Sequence, residues 1–412
     1  MINQISSRLD KTLIILFSLY PLFILTGNFL INISIITIGS VFFFKFFKKE
    51  VYFSQYKSTF YILLFFFISL IINLFFTNNI FLSHQRVIKF FFILFFIISF
   101  KFLIINYNQH LKIIYKSWCI IILVVIFDLT VEFFTGKNTL GQSAIFLGRL
   151  ASFTGEESTI GYFFLGFSLI FLSYTYNHSK KMSLNILLAV IFIIISFLIG
   201  ERANFFKTFF AIMSFIFLVN KINYKYKILS IILILLAGYV TFLNLDRHYK
   251  WRYFYQIDMI YSQGLTKYLA ATKYGAHKNV AKEIFLDNPF FGVGIKNFRI
   301  ESGNKKYDEL DHKANHLRVS NHPHDLYYEF LSETGIFGLF CFLIFIFSSI
   351  ILSLKSYLRS RNIYQLSAMI FIIVSIIPII PTGSFLATFT SSVFWINYAI
   401  MMGYNTLKKT KY

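Results

Sequence analysis

An all-α, polytopic membrane protein of about twelve transmembrane helices, with one large outward loop between spans nine and ten, is the fold class this sequence predicts. Three observations carry that reading. Hydrophobic residues make up 57% of the 412-residue chain, 56 of them phenylalanine, more than a water-soluble core absorbs. Apolar runs of about 15 to 20 residues recur, the length that crosses a bilayer as a helix. The basic excess, a formal +21, collects in short connections between those runs, which points to membrane topology and away from a nucleic-acid partner.

The runs lie at about 12–26, 28–44, 58–76, 87–106, 113–133, 160–176, 185–200, 204–219, 228–243, 335–354, 363–381 and 384–403. With the N-terminus in the cytoplasm, the inward connections carry Lys45, Lys48, Lys49 and Lys57, then Lys112, Lys180 and Lys181, Lys221, Lys225 and Lys227, and Lys355, Arg359 and Arg361. The tail adds Lys408, Lys409 and Lys411. The short outward turns Gly27-Asn28 and Pro381-Thr382-Gly383-Ser384 carry no charge, so the asymmetry places both chain ends inside. The first run follows Arg8 and Lys11 without a small-residue cleavage site and reads as a span, not a signal peptide. Cys119 and Cys341 fall in spans entered from opposite sides, so no bridge is expected. The chain thus divides into residues 1–243, spans one to nine; 244–334, the large outward loop; and 335–412, spans ten to twelve and the tail.

Long loops escape the positive-inside rule, so the basic 244–334 segment fits outside. It holds six of the nine histidines (His248, His277, His312, His316, His322 and His324) with Arg247, Arg252, Lys278, Arg299 and Arg318. A structureless loop of that length is unusual, and a surface-folded, functional one is expected. Within it, Val280, Ile284 and Phe285 have helical spacing up to Asn288-Pro289, and Phe291-Gly292-Val293-Gly294 reads as a turn. A second outward loop, about 134–159, carries Arg149 and Glu156-Glu157.

The chemistry concentrates at Asn321-His322-Pro323-His324-Asp325-Leu326, where a polar turn meets an apolar helix. Pro323 biases His322 toward extended backbone. Asp325 is a good N-cap type, so His324 stands at a helix mouth. The positive helix end disfavours imidazolium, leaving a neutral ring that can accept a proton, while Asp325 pulls the other way.

Three pieces together resemble the O-antigen ligase and polymerase family of bacterial envelope glycosyltransferases, which use lipid-linked sugars. His324-Asp325-Leu326 with Glu333 and Gly335 is similar to the family's His-Asn-x-x-Leu followed by Glu and Gly nine and eleven residues after the histidine. Asn288-Pro289-Phe290-Phe291-Gly292-Val293-Gly294 looks like its Pro-x-x-Gly-x-Gly turn, and Gly200-Glu201-Arg202 resembles its Ser-Arg at the outer end of a span. Asp325 stands where the family usually has Asn, and Glu201 where a small residue is common. The family's second arginine has no unique match; Arg252 is the choice, with Arg247 close behind.

The resemblance implies transfer of a glycan from an undecaprenyl-pyrophosphate carrier to an acceptor hydroxyl, on a lipid A core or a growing polysaccharide. It further implies inversion at the anomeric centre without metal, nucleotide or other cofactor, at the periplasmic face of the bacterial inner membrane. The leaving diphosphate asks for guanidinium groups, and Arg202 and Arg252 are the candidates. His324 suits the base that takes the acceptor proton. Arg86, after Ser83-His84-Gln85, weighs carrier phosphate against an interfacial anchor, and Arg149 and Arg299 weigh substrate contact against surface charge. His322 is set against a structural hydrogen-bonding role, and Gly335 and Gly338 are read as permitting close helix packing.

His312 and His316, four apart, could join His322, His324 and Asp325 around a metal, but the intervening residues lack the glutamate of a zinc-protease helix. The chain has no P-loop, dinucleotide fingerprint or nucleophile elbow. A transporter or flippase of lipid-linked oligosaccharide is the rival class; it calls for repeat symmetry or mid-bilayer charge, whereas the polar residues here gather outside. Membrane lipids are the remaining expected contact.

Overall fold

The computed structural model describes residues 7–406 apart from 158, 180, 220–222, 246 and 379, and the side chains in that range apart from those of 156, 157, 252, 256, 270 and 406. These residues form α-helices and short 3-10 turns, with no strand among them. The helices are α1 Arg8–Thr26, α2 Asn28–Phe47, α3 Lys57–Leu74, α4 Ile80–Asn106, α5 Leu111–Thr135, α6 Ile160–His178, α7 Met182–Leu198, α8 Arg202–Leu218, α9 Tyr224–Asn244, α10 Arg247–Gln263, α11 Leu265–Ala270, α12 Lys273–Asp287, α13 Phe298–Glu301, α14 Leu326–Ser360, α15 Ile363–Ser375 and α16 Thr388–Gly403.

A helix occupies each predicted apolar run. Seven described helices, α1 to α5, α9 and α14, are long and apolar enough to cross a membrane. The run at 363–381 is only partly helical. Its helix α15 spans 13 residues, roughly 20 Å at 1.5 Å per residue, and stops at Ser375 because Pro378 and Pro381 cannot continue it. Helix α16 likewise begins at Thr388, so the described residues of 376–387 are irregular. Non-helical backbone at that depth is tolerated where it lines a cavity, and this segment does so.

Helix α4 packs on α2, α3 and α16, and α15 on α16 and α6. Aromatic rings fill the centre: Phe66 stacks on Phe345 at 4.7 Å between centroids, and Trp395 meets Phe90 edge-on at 5.3 Å. In hydrocarbon, where burial itself offers little driving force, such close packing supplies much of the helix association. At the end of the bundle away from the site, Lys45 pairs with Asp10 at 2.9 Å, and Tyr107 donates to the same carboxylate at 2.6 Å.

The segment between α9 and α14 is folded. Helix α12 ends at Asp287, just before Asn288-Pro289, and Val280, Ala281, Ile284, Val293, Phe298 and Tyr307 form a small separate core. The turn Pro289–Gly294 then docks backbone to backbone on the first turns of α14. Val293 donates to the Ser332 carbonyl at 3.0 Å and Gly294 to that of Glu333 at 2.8 Å; Ile336 donates back to Pro289 at 2.9 Å and Phe337 to Phe290 at 3.2 Å. Asn73 at the end of α3 bridges the seam, donating to the Phe291 carbonyl at 2.7 Å.

Glycine is required on both sides of this seam. Gly335 has φ 65° and ψ −169°, which breaks α14, and a Cβ there would lie 2.3 Å from the Phe290 oxygen. A Cβ on Gly292, at φ 65°, would lie 2.5 Å from the Glu333 carbonyl carbon. Gly335 therefore admits a loop, not the neighbouring helix expected from spacing.

Candidate functional site

Asp325 caps α14 as its residue type predicts, accepting from the Tyr327 and Tyr328 amides at 3.0 and 3.3 Å. It also pairs with Lys278 of α12 at 2.8 Å, which gives the acidic residue a partner that an asparagine would not need. One residue earlier, His324 takes a left-handed backbone, φ 57°, of the kind histidine adopts more readily than most side chains. That reversal brings its ring to 5.3 Å from Tyr274 and His277 of α12 and 4.0 Å from His322. The irregular 376–387 segment clasps both histidines: the Thr382 amide donates to the His324 carbonyl at 3.1 Å, and His322 Nε2 lies 3.3 Å from the Thr382 oxygen.

This segment is itself pinned. Glu329 accepts from the Ser384 hydroxyl at 2.5 Å and the Phe385 amide at 3.0 Å, Lys296 donates to Ser384 at 3.2 Å, and the Tyr327 hydroxyl donates to the Ile376 carbonyl at 2.7 Å.

His322 and His324 open onto a cavity of about 280 Å³, near the lower end for small-molecule sites. Arg149, Lys207, Asn204, Glu201, Tyr274 and Thr382 make its polar wall; Tyr162, Leu326, Phe385, Phe389 and Phe394 make the apolar one. Glu201 accepts from the Gly161 amide at 2.7 Å and from Asn204 at 2.6 Å.

Arg149 is held there by α5. Glu132 accepts from the Ala151 and Ser152 amides at 3.0 and 2.7 Å, and Asp128 accepts from the Ser152 hydroxyl at 2.6 Å. Gly200 lets this loop approach: at φ 75°, its Cβ would lie 2.0 Å from the Gly148 oxygen.

Burial pushes both histidines down. His324 falls to about 3, with His322, His277 and Lys273 adding repulsion, and His322 falls to about 4, with Lys296 adding to it. Both rings are neutral at physiological pH, and the cause is burial, not the helix end considered in the sequence. His277 is lowered for the same first cause.

The predicted residues separate into groups. His324 and His322 line the cavity. Arg202, the first residue of α8, lies within electrostatic reach of Tyr274, Tyr268, Tyr253 and Arg149, two of which line the cavity, without itself forming the wall. The side chain of Arg252 lies outside the described residues. Arg247 is exposed at the start of α10 and is not part of the cavity wall. Arg86 and Arg299 are close to each other and to Lys296, also away from the cavity wall. Arg149, weighed in sequence as an outward-loop charge, proves to be a wall residue. Lys207, Tyr274 and Lys273 had no motif to mark them. His316 lies within the 3-10 turn Asn315–Leu317 and His312 ahead of it, so they share no helical face; the two His312 ring nitrogens lie 3.1 Å from the Ala314 amide and 3.2 Å from the Leu269 oxygen.

No curated protein matches this chain. Residues 187–343 match the family model described as O-antigen ligase, a stretch running from α7 through Arg202, α12, the Pro289–Gly294 turn and His324 into α14. Over residues 187–343, under half of its length, the chain is thus similar to the O-antigen ligase family, and seven of its described helices are long and apolar enough to cross a membrane.

Proposed function

We propose that this protein is an O-antigen ligase-like glycosyltransferase. It moves a glycan from undecaprenyl pyrophosphate to an acceptor hydroxyl, on a lipid A core sugar or a growing polysaccharide, at the periplasmic face of the bacterial inner membrane. The observation that carries this is the neutral His324 beside a cavity with Arg149 in its wall and Arg202 close by, inside the matched domain.

In the reaction, the acceptor oxygen attacks the anomeric carbon while His324 takes its proton. The bond from that carbon to the diphosphate breaks, its electron pair stays on the phosphate oxygen, and attack opposite the leaving group inverts the centre. Arg149 and Arg202 hold the leaving charge, a role for which guanidinium suits phosphate oxygens. Binding of the diphosphate raises the basicity of the imidazole by Coulomb attraction. Below Arg202, a groove of about 290 Å³ between α7, α8 and α9, lined by Phe197, Phe205, Phe209, Ile234 and Phe242, offers the polyprenyl tail an apolar path. Tyr253, stacked on Phe197 at 4.3 Å, stands at its head.

The test uses detergent-purified protein, lipid-linked glycan and defined acceptors, read on a gel that resolves chain length. His324→Ala is expected to abolish transfer while membrane insertion persists; near wild-type transfer would remove His324 from the chemistry. Donor left unconverted by the purified wild-type protein would favour a transporter of lipid-linked oligosaccharide.

A further inference from the structure

Outside the cavity wall but within electrostatic reach of His322 lies a second group of cations that the transfer chemistry above does not use. Arg86 and Lys89 are one helical turn apart on α4, and Lys296 and Arg299 have the same spacing across the start of α13. Like charges so spaced repel and weaken the local structure unless something offsets them. The four lie within one electrostatic neighbourhood: Arg86 feels Arg299, Lys89 feels Arg86 and Lys296, and Lys296 feels Arg86 and Arg299. His322 feels both Lys296 and Arg299, so the group borders the catalytic pair.

Two carboxylates reach this group: Glu329 and Glu333 act on Lys296, and Glu333 also on Arg86. Both Glu329 oxygens are already taken by Ser384 and the Phe385 amide. Among the described residues no ion pair within 4 Å joins any of the four to a carboxylate. Arg86 donates to the Thr388 hydroxyl at 3.0 Å, and Lys296 to Ser384. The Lys89 ammonium and Arg299 Nε are buried without a hydrogen-bond partner, an expensive state for donors of this kind. Arg86 and Arg299 are half-buried, so the group can be reached from outside.

We infer that Arg86, Lys89, Lys296 and Arg299 form a second anion subsite, outside the cavity wall and near His322, which seats a phosphate or carboxylate carried by the acceptor. The assignment of the anion to the acceptor rests on the transfer reading; the existence of the subsite does not. A separate anion subsite near the histidine pair would hold the acceptor apart from the donor diphosphate, which orients the attacking hydroxyl.

Binding is measured first, without turnover, as the shift in thermal unfolding of the detergent-solubilised full chain with inorganic phosphate at constant ionic strength. In an Arg149→Gln/Arg202→Gln background, phosphate binding should persist, and adding Arg86→Gln/Arg299→Gln should weaken it at least tenfold. Lys89→Met should weaken it too and serves as the second variant if the double change disturbs folding. Loss of all phosphate response from Arg149→Gln/Arg202→Gln alone, or a change under twofold on adding Arg86→Gln/Arg299→Gln or Lys89→Met, would overturn the subsite. The measurement is repeated in nanodiscs: a response that survives in both phosphatidylcholine and phosphatidylglycerol supports an acceptor anion, whereas competitive loss in phosphatidylglycerol would make the seat one for lipid headgroups and overturn that assignment. In the transfer assay, Arg86→Gln/Arg299→Gln should raise the acceptor KM at least tenfold for a phosphorylated core and leave it within twofold for the phosphatase-treated one; equal rises would overturn the acceptor reading.

Discussion

Replacing Gly335 by alanine tests the backbone seam that frames the site. Its φ of 65° with ψ of −169° is a region essentially closed to L residues, at about 1–3 kcal/mol. The new methyl would lie 2.3 Å from the Phe290 oxygen and 2.5 Å from the Phe291 nitrogen, and both are backbone atoms that no rotamer change can move aside. Overpacking of that kind adds roughly 1–3 kcal/mol, so the expected loss is about 2–6 kcal/mol. Surrender of the four seam hydrogen bonds, at about 1 kcal/mol each, falls within that range. Gly238→Ala in α9 is the control: it has ordinary helical backbone and nothing within 4 Å of its Cβ, so alanine should be neutral or stabilise by up to about 1 kcal/mol. Thermal unfolding in detergent should place Gly335→Ala several degrees below wild type and Gly238→Ala at or slightly above it. Equal midpoints for the two variants would mean that the turn and α14 are not in backbone contact, and the seam account would fall.

With His324 held to about 3, kcat/KM for transfer should stay flat from pH 8 to 5.5; a histidine of ordinary value, about 6.5, would lose roughly tenfold there, and such a loss would contradict a neutral buried ring. Because the folded values of both histidines lie below that of the unfolded chain, the unfolded state binds more protons between about pH 6.5 and 4, so stability present above 6.5 should decline as pH falls through that window. Asp325→Asn keeps the cap but strands Lys278, and Lys278→Met strands Asp325, whereas the double variant should recover about 1 kcal/mol or more relative to the sum of the singles in unfolding experiments; strict additivity would show that the pair does not couple. Arg149→Gln should weaken donor affinity by about 10- to 100-fold, the value of a charge-assisted contact, and Glu132→Gln, which loosens the loop carrying it, should move the same constant in the same direction.

The helices were legible because apolar runs announce themselves by length, and the α14 cap because Asp325 precedes an apolar stretch. The end of α15 was not read, although Pro378 and Pro381 signal it: isoleucines on either side kept the run apolar and masked the break. His324 and His322 were legible from local pattern. Arg149 was not separable from an ordinary loop charge, since its place depends on Glu132 and Asp128, one helical turn apart on a different element, and on Gly200 some fifty residues away. Lys207 was hidden for a related reason, as a lone cation within an apolar helix gives no sign of which side it faces until α8 is packed.

The residues that make the family pattern recognisable are mostly not those that would touch substrate. Gly292, Gly294 and Gly335 serve a seam in which two irregular stretches satisfy one another's amides and carbonyls, a necessity where water is scarce and an orphan backbone group is costly. Glu329, Ser384 and Lys296 extend that frame to the 376–387 segment, and Thr382 passes it to both histidines. The left-handed residue that aims the imidazole therefore lies between a helix cap and a pinned loop, and its conformational cost of about 1–3 kcal/mol is met by contacts on either side. A ring so over-determined in position needs little reorganisation at the moment of attack. Its surroundings also keep it uncharged, and under the proposed reaction an arriving anion would raise its basicity together with substrate occupancy.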